Sequence, residues 1–326
     1  MKKKVFIASQ SFGNFFYEPI QAMLDAGFEV HENPEKKKYT EKELIAQLPG
    51  YDAAVVGSDP FTQKVIEAAA PRLRILAKSG VGVDNIDIPA ATKNGVYVTS
   101  TTGSVDDGVA DQTFALMLSI ARGIIYLDRV SKEGQWPRYL GMDVSGKTLG
   151  IVGLGHIGRE VALRAKGFRM KLLAYEPYPN DAFCCDHNIT LCGLEQLCEE
   201  SDFVTLHVPH TPQTHHILTE DLLHRMKKSA VLINTARGGL VDEELLYRAL
   251  KEKWIYAAGV DCWEQEPTKA NNPLFSLENC VCTPHVAGYT ARTMYNTGMM
   301  VAESVIAALR DEVPPRLLNP EVAAGI

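Results

Sequence analysis

Short apolar runs alternate with stretches of helical spacing along most of the chain. Lys4 to Ser9 reads as a strand, Tyr17 to Ala26 as a helix that ends at Gly27, and Phe28 to His31 as the next strand. Thr40 to Leu48 is helical, and Thr40-x-x-Glu43 is the pattern of a capping box. Ala53 to Gly57, Ile75 to Lys78 and Tyr97 to Thr99 read as strands, with helices at Thr62 to Ala70 and Pro89 to Asn94 between them. A long apolar helix follows over Val109 to Ala121, with a helical pattern that continues past Gly123. A second series then gives six strands: Thr148 to Val152, Lys171 to Tyr175, Phe203 to His207, Ala230 to Asn234, Tyr256 to Val260 and Val281 to Thr283. Thr290 to Leu309 is helical, and the residues beyond Pro314-Pro315 read as loose. Strands that alternate with helices specify parallel, doubly wound sheets, and the chain has the length of two domains.

Composition changes this picture little. The 326 residues are 46 % hydrophobic and 22 % charged, as expected of a globular core. A net charge of −7 gives no reason to bind nucleic acid or an anionic membrane. No apolar stretch approaches the ~20 residues of a membrane span, and the apolar run after Lys4 is too short for a signal peptide. The seven cysteines are an odd number without a C-x-x-C pair, which fits reduced thiols and a cytoplasmic protein.

Gly153-x-Gly155-x-x-Gly158 follows an apolar strand and opens a helical pattern, the context in which such glycines bind a dinucleotide. Gly153 makes the turn, Gly155 admits the pyrophosphate, and Gly158 lets helix and strand approach. The phosphates then meet the helix N-terminus, near His156 and Ile157. Glu176 ends the next strand about twenty residues on, where a carboxylate binds the adenosine ribose. It would repel a 2′-phosphate, and no Lys or Arg lies between Pro177 and Thr190, so the expected cofactor is NAD.

Arg237, Glu266 and His285 lie near strand ends in the second half, where ligands bind in open α/β sheets. Reduction of a 2-oxo acid needs a fork for the carboxylate, a cation near the ketone oxygen and a proton donor. Arg237 supplies the fork, His285 the proton, and a Glu on the other imidazole nitrogen fixes its tautomer. Glu264, two residues before Glu266, is the competing acid. His207, His210, His215 and His216 suggest a metal cluster but suit a strand end and loop beside the adenosine, so no metal is expected.

GLGHIG, NTARGGLVDEE, VDCWEQEP and TPHVAGYT together resemble the D-2-hydroxyacid dehydrogenase family, in its phosphoglycerate dehydrogenase-like branch. The resemblance implies a Rossmann-like NAD domain (104–290) inserted in a flavodoxin-like substrate domain (1–103 and 291–326). It implies Arg237, Glu266 and His285 as catalytic, and a homodimer formed through the long helix. It adds Val208, Pro209, Thr235, Ala236, Asp261 (at the nicotinamide amide) and Gly288 to the cofactor contacts, with Arg237 and His285. It gives Lys78, Ser79, Gly80 and Val81 to the substrate, with Arg237 and His285. Relatives that act on 3-phosphoglycerate carry arginines where this chain has Gly57 and Lys78, and some carry a C-terminal regulatory domain that this protein is expected to lack. The expected substrate is a small 2-oxo or 2-hydroxy acid. The alternatives are an NAD(H)-sensing binding protein resembling corepressors, or a phosphite- or formate-type dehydrogenase. Glu266 speaks against the formate type.

Overall fold

The computed structural model describes residues 2–324, which form two compact units. The chain up to Val105 and from Tyr289 onward makes the first, and Asp106–Gly288 the second.

The first unit runs β1 (Lys4–Ile7), α1 (Glu18–Asp25), β2 (Glu29–His31), α2 (Glu41–Gln47), β3 (Ala53–Val56), α3 (Gln63–Ala69), β4 (Ile75–Lys78), α4 (Ile88–Lys93) and β5 (Tyr97–Thr99). The C-terminal helix Ala291–Leu309 completes it. All five strands are parallel in the order β2-β1-β3-β4-β5, the flavodoxin-like winding. The pleat sends alternate side chains to opposite faces. Val5, Ile7, Val55 and Ala77 therefore pack on Ile20, Met23, Val301 and Val305 of α1 and the C-terminal helix. Phe6, Ala54, Val56 and Leu76 pack on Leu44, Val65, Ile66 and Ala91 of α2, α3 and α4. The Thr40 capping box forms: the Glu43 N–H donates to Thr40 Oγ1, and the Thr40 N–H to Glu43 Oε2.

As far as Ala324 the tail is not loose, contrary to expectation, and the last two residues, 325 and 326, lie outside the described residues. Asn319 is buried, its Oδ1 accepts the Val98 N–H at 2.8 Å, and its Nδ2 donates to the Val96 carbonyl at 2.9 Å. The Leu318 N–H donates to the Val98 carbonyl. This segment satisfies the open edge of β5, a backbone demand that apolar spacing does not record.

The second unit begins with α5 (Asp106–Ala121) and α6 (Ile124–Lys132). The long helical pattern is two helices, broken at Gly123 in left-handed conformation. Next come β6 (Thr148–Val152), α7 (His156–Gly167), β7 (Lys171–Tyr175), α8 (Asp181–His187), β8 (Ile189–Leu191), α9 (Leu194–Glu200) and β9 (Phe203–Leu206). Then follow α10 (Glu220–Arg225), β10 (Val231–Asn234), α11 (Glu243–Lys251), β11 (Ala257–Val260) and β12 (Cys280–Cys282). The parallel sheet has seven strands, ordered β12-β11-β10-β9-β6-β7-β8. Six were expected, and β8 is the addition. It is an edge strand of three residues with only Ile189 buried, too short for an apolar run. The order reverses between β6 and β9, the point at which a doubly wound sheet opens a crevice for ligands. Among the described residues, no helix is long and apolar enough to cross a membrane.

Candidate active site

The glycine turn follows β6 at this reversal. Gly153 has a φ of +96°, and a Cβ there would lie 2.7 Å from the His207 backbone. At Gly158 a Cβ would meet the Gly153 carbonyl at 2.1 Å, so helix and turn pack backbone on backbone. At Gly155 a Cβ would meet nothing within 4 Å. The turn is therefore packed on its inner side and open at its middle glycine, in front of the first turn of α7. That shape fits a pyrophosphate on a helix N-terminus. Exposed His156 opens α7 and faces Asp106 at 3.6 Å, and half-buried Ile157 follows it.

Glu176 anchors this turn. Its Oε2 accepts the Leu154 N–H at 2.8 Å, and its Oε1 the Tyr178 N–H at 3.0 Å. Arg159, the residue after Gly158, matches no cofactor motif in the sequence. Its Nε donates to the Leu154 carbonyl and its guanidinium lies over Phe183, so a cation stands on the same turn. Val208 is buried and Pro209 exposed after β9. The His207 Nε2 pairs with Thr205 Oγ1, while its buried Nδ1 has no partner, and burial pushes its pKa down to about 3. His210 and His215 meet at 3.0 Å, and His216 bonds Glu264 at 2.8 Å.

Three strand ends assemble the acid–base group. After β10, Asn234 closes the turn: its Oδ1 accepts the Ala236 N–H and its Nδ2 donates to the Arg237 carbonyl. Thr235 is buried, with its hydroxyl 2.9 Å from that of Thr113. Half-buried Arg237 donates from Nη1 to the Ala236 carbonyl. Gly238 brings this turn against the loop after β11, because a Cβ there would stand 1.9 Å from the Trp263 backbone. Any other residue would push Arg237 and that loop apart.

Glu266 lies on the loop. Its Oε1 accepts the Trp263 N–H at 3.0 Å and its Oε2 lies 2.7 Å from His285 Nδ1. Glu264 turns instead to His216, so the ambiguity between the two acids resolves to Glu266 at the imidazole. Burial works against the Glu266 carboxylate, but the His285 hydrogen bond and charge, the Trp263 N–H and the Arg237 charge outweigh it and hold its pKa below the ordinary value. His285 is pushed the other way, to about 10, by the Cys262 side chain and by Glu266, against burial. Glu266 loses its charge only below its depressed pKa and His285 only above its raised one, so the ion pair spans neutral pH.

His285 has a φ of +53°, a left-handed conformation that costs a histidine energy. Asp261 offsets that cost. It is fully buried; its carbonyl accepts the His285 N–H at 2.8 Å, and its carboxylate accepts the Val286 and Ala287 N–H groups at 3.0 and 2.9 Å. Thr283 Oγ1 donates to the same carboxylate at 2.5 Å. Asp261 was expected at the nicotinamide amide. Its carboxylate is held by the segment that carries His285 and leads to half-buried Gly288, while its N–H donates to the Asn234 carbonyl at 2.9 Å.

In the first unit, Lys78 points inward. It is buried, and Nζ donates to the Gly57 carbonyl at 2.5 Å and to Asn85 Oδ1 at 2.8 Å. A Cβ at Gly57 would stand 2.9 Å from Ser9 Cα, so that position also faces inward. The Ser79 N–H is taken by the Val56 carbonyl at 2.9 Å. Gly80 and Val81 follow, both half-buried. Ser79 borders a cavity of about 80 Å³ lined also by Phe12, Phe15, Phe16 and Tyr289.

Asp261→Asn replaces one accepting oxygen with a donor that opposes an N–H. We expect it to destabilise the protein by about 1.5–3 kcal/mol, the range for hydrogen bonds to a charged group. Urea denaturation followed by circular dichroism measures this, and a change within a few tenths of a kcal/mol contradicts the assigned role.

Residues 114–287 match the family model for the NAD-binding domain of D-isomer specific 2-hydroxyacid dehydrogenases. A glyoxylate reductase of Korarchaeum cryptofilum is 44 % identical over 99 % of this chain and 97 % of its own length. A D-3-phosphoglycerate dehydrogenase of Archaeoglobus fulgidus is 40 % identical over 89 % of this chain and 55 % of its own length. The solved structure of an acyclic imino acid reductase with NADPH and D-Arg superposes with a TM-score of 0.86 at 30 % identity, covering 97 % of this chain and 99 % of that one. The chain belongs to the D-isomer specific 2-hydroxyacid dehydrogenases, enzymes that interconvert 2-hydroxy and 2-oxo acids with a nicotinamide cofactor.

Proposed function

We propose that this protein reduces a small, unphosphorylated 2-oxo acid of the glyoxylate or hydroxypyruvate type, with NADH as donor. The observation that carries the chemistry is the 2.7 Å pair of His285 and Glu266 on the loop next to the Arg237 turn. Arg237 holds the substrate carboxylate through its guanidinium. Glu266 accepts from His285 Nδ1, which leaves Nε2 to carry the transferable proton. The nicotinamide cofactor, when bound, supplies the hydride to the ketone carbon. His285 Nε2 gives its proton to the ketone oxygen, which becomes the hydroxyl, and the imidazolium charge offsets the developing negative charge. In the oxidative direction neutral His285 takes the hydroxyl proton. Asp261 acts through position, by fixing the His285 loop.

Preference for an unphosphorylated acid rests on the first unit, read as the substrate domain. Lys78 is committed to Gly57 and Asn85, and position 57 has no room for a side chain. The described residues that line the cavity beside Ser79 carry no charge to hold a phosphate. Gly80 and Val81 are assigned to the substrate, with Ser79 lining that cavity. The similarity to a glyoxylate reductase points the same way.

Glu176 favours NADH by repelling a 2′-phosphate, with Arg159 opposing it. Gly153, Gly155, His156, Ile157 and Gly158 are assigned to the pyrophosphate. Val208 and Pro209 are assigned to the adenosine, and Thr235, Ala236 and Gly288 to the nicotinamide side. The protein is assigned as a homodimer. Exposed Ile124, Ile125, Trp136 and Leu140 follow the long helix and form the apolar surface for it.

Two measurements test this reading. A panel of 2-oxo acids that includes 3-phosphohydroxypyruvate should show turnover favouring glyoxylate or hydroxypyruvate. His285→Ala should lower kcat by about 10²–10⁴-fold. Preference for the phosphorylated acid, or a His285→Ala variant with full kcat, sinks the assignment. Glu176→Gln should raise kcat/KM for NADPH relative to NADH by roughly tenfold or more, as a like-charge repulsion is removed. An unchanged ratio removes Glu176 from cofactor choice.

A further inference from the structure

The reaction described above uses no thiol, yet Cys262 lies beside its acid–base pair. It is 2 % exposed, directly after Asp261, and its Sγ faces the Ala236 carbonyl at 3.4 Å. The Cys262 sulfur, a Glu266 carboxylate oxygen and a His285 ring nitrogen lie within 4.8 Å of one another. Among the described residues this is the one such group of three metal-ligating side chains, and the histidines between His207 and His216 do not make another.

A thiolate, an imidazole and a carboxylate are the donors that zinc takes. Thiolate sulfur selects against magnesium and calcium, which prefer oxygen. Bonds of ~2.0–2.3 Å in a tetrahedron place ligand atoms about 3.4 Å apart. The group thus needs to contract by little more than an ångström at its widest, and side-chain rotation covers that. The site is open on one side, because the Glu266 and His285 side chains are 38 % and 43 % exposed. That opening leaves the fourth corner to water or to a carboxylate.

We propose that Cys262, Glu266 and His285 form a reversible inhibitory site for zinc or a similar borderline-soft divalent cation. On binding, the thiol proton and any proton on the coordinating imidazole pass to water, and no electron is transferred. The metal replaces the hydrogen bond between His285 and Glu266 and occupies the imidazole, so proton transfer stops until a chelator removes the ion. The inhibitory consequence rests on the assignment of His285 as the proton carrier, whereas the binding does not.

The test uses chelator-treated full-length protein. Co²⁺ is added without cofactor, and visible absorption reads tetrahedral thiolate coordination. In parallel, Zn²⁺ is titrated into the 2-oxo acid reduction assay, with EDTA reversal. The expected result is one equivalent of Co²⁺ with intense ligand-field bands, and Zn²⁺ inhibition that EDTA reverses. Cys262→Ala should abolish the bands and weaken Zn²⁺ inhibition, measured against its own metal-free rate, by roughly tenfold or more. Cys262→Ser, of nearly the same volume, should also lose the sulfur charge-transfer band, and its thermal midpoint checks that the fold is intact. Absence of the Co²⁺ bands, or Zn²⁺ inhibition undiminished in Cys262→Ala, overturns the proposal and leaves the catalytic assignment standing. If the bands appear while turnover continues with the ion bound, the site stands, and the inhibitory claim falls together with the assignment of His285 as proton carrier.

Discussion

The buried carboxylate of Asp261 is the constraint on which the active site depends. A fully buried charge is costly unless hydrogen bonds surround it. Here Thr283, Val286 and Ala287 supply them. The same contacts force the chain through a left-handed turn at His285, which a histidine does not adopt without compensation. The Asp261 carbonyl adds that compensation by accepting the His285 N–H. The imidazole is thereby presented to Glu266, and each member of the pair drives the other toward its charged form. The order of cause runs from a buried acid, to a strained backbone, to a ring that keeps its proton at neutral pH.

Close backbone packing makes this possible. Gly238 lets the Arg237 turn touch the Trp263 backbone, and Trp263 donates from Nε1 to the Thr283 carbonyl at 3.0 Å. The loops after β10, β11 and β12 are thus joined by direct contacts, each at the carboxyl end of its strand. The glycine turn after β6 uses the same device, with Gly158 against the Gly153 carbonyl and Glu176 tied to the Leu154 N–H. Parallel strands put all these turns at one edge of the sheet.

Much of this was legible in the sequence because it rests on periodicity and on residue types that few other roles require. The alternation of strands and helices, the glycine spacing and the three strand-end motifs follow from local rules. What escaped depends on long-range partners. β8 is a three-residue edge strand with one buried side chain, and Asn319 caps a sheet edge more than 200 residues away. Glu264 and Glu266 differ only in which histidine they face, and no spacing rule separates them. Lys78 reads as a cation near a ligand loop, but it is buried because Gly57 and Asn85 offer it acceptors. Asp261 shows no outward sign of the loop it holds, and Cys262 is one of seven reduced thiols in the sequence until the fold sets it beside His285.

The most direct test of the central claim is the titration of the His285 ring, followed by NMR of ¹⁵N-labelled histidine in the wild type and in Glu266→Gln. With the Cys262 side chain and Glu266 both beside the ring, His285 is expected to stay protonated through neutral pH and to titrate near 10. Its pKa should fall when Glu266 loses its charge, with the contribution of the Cys262 side chain remaining. A wild-type His285 that titrates near 6.5 and does not respond to Glu266→Gln would contradict the account.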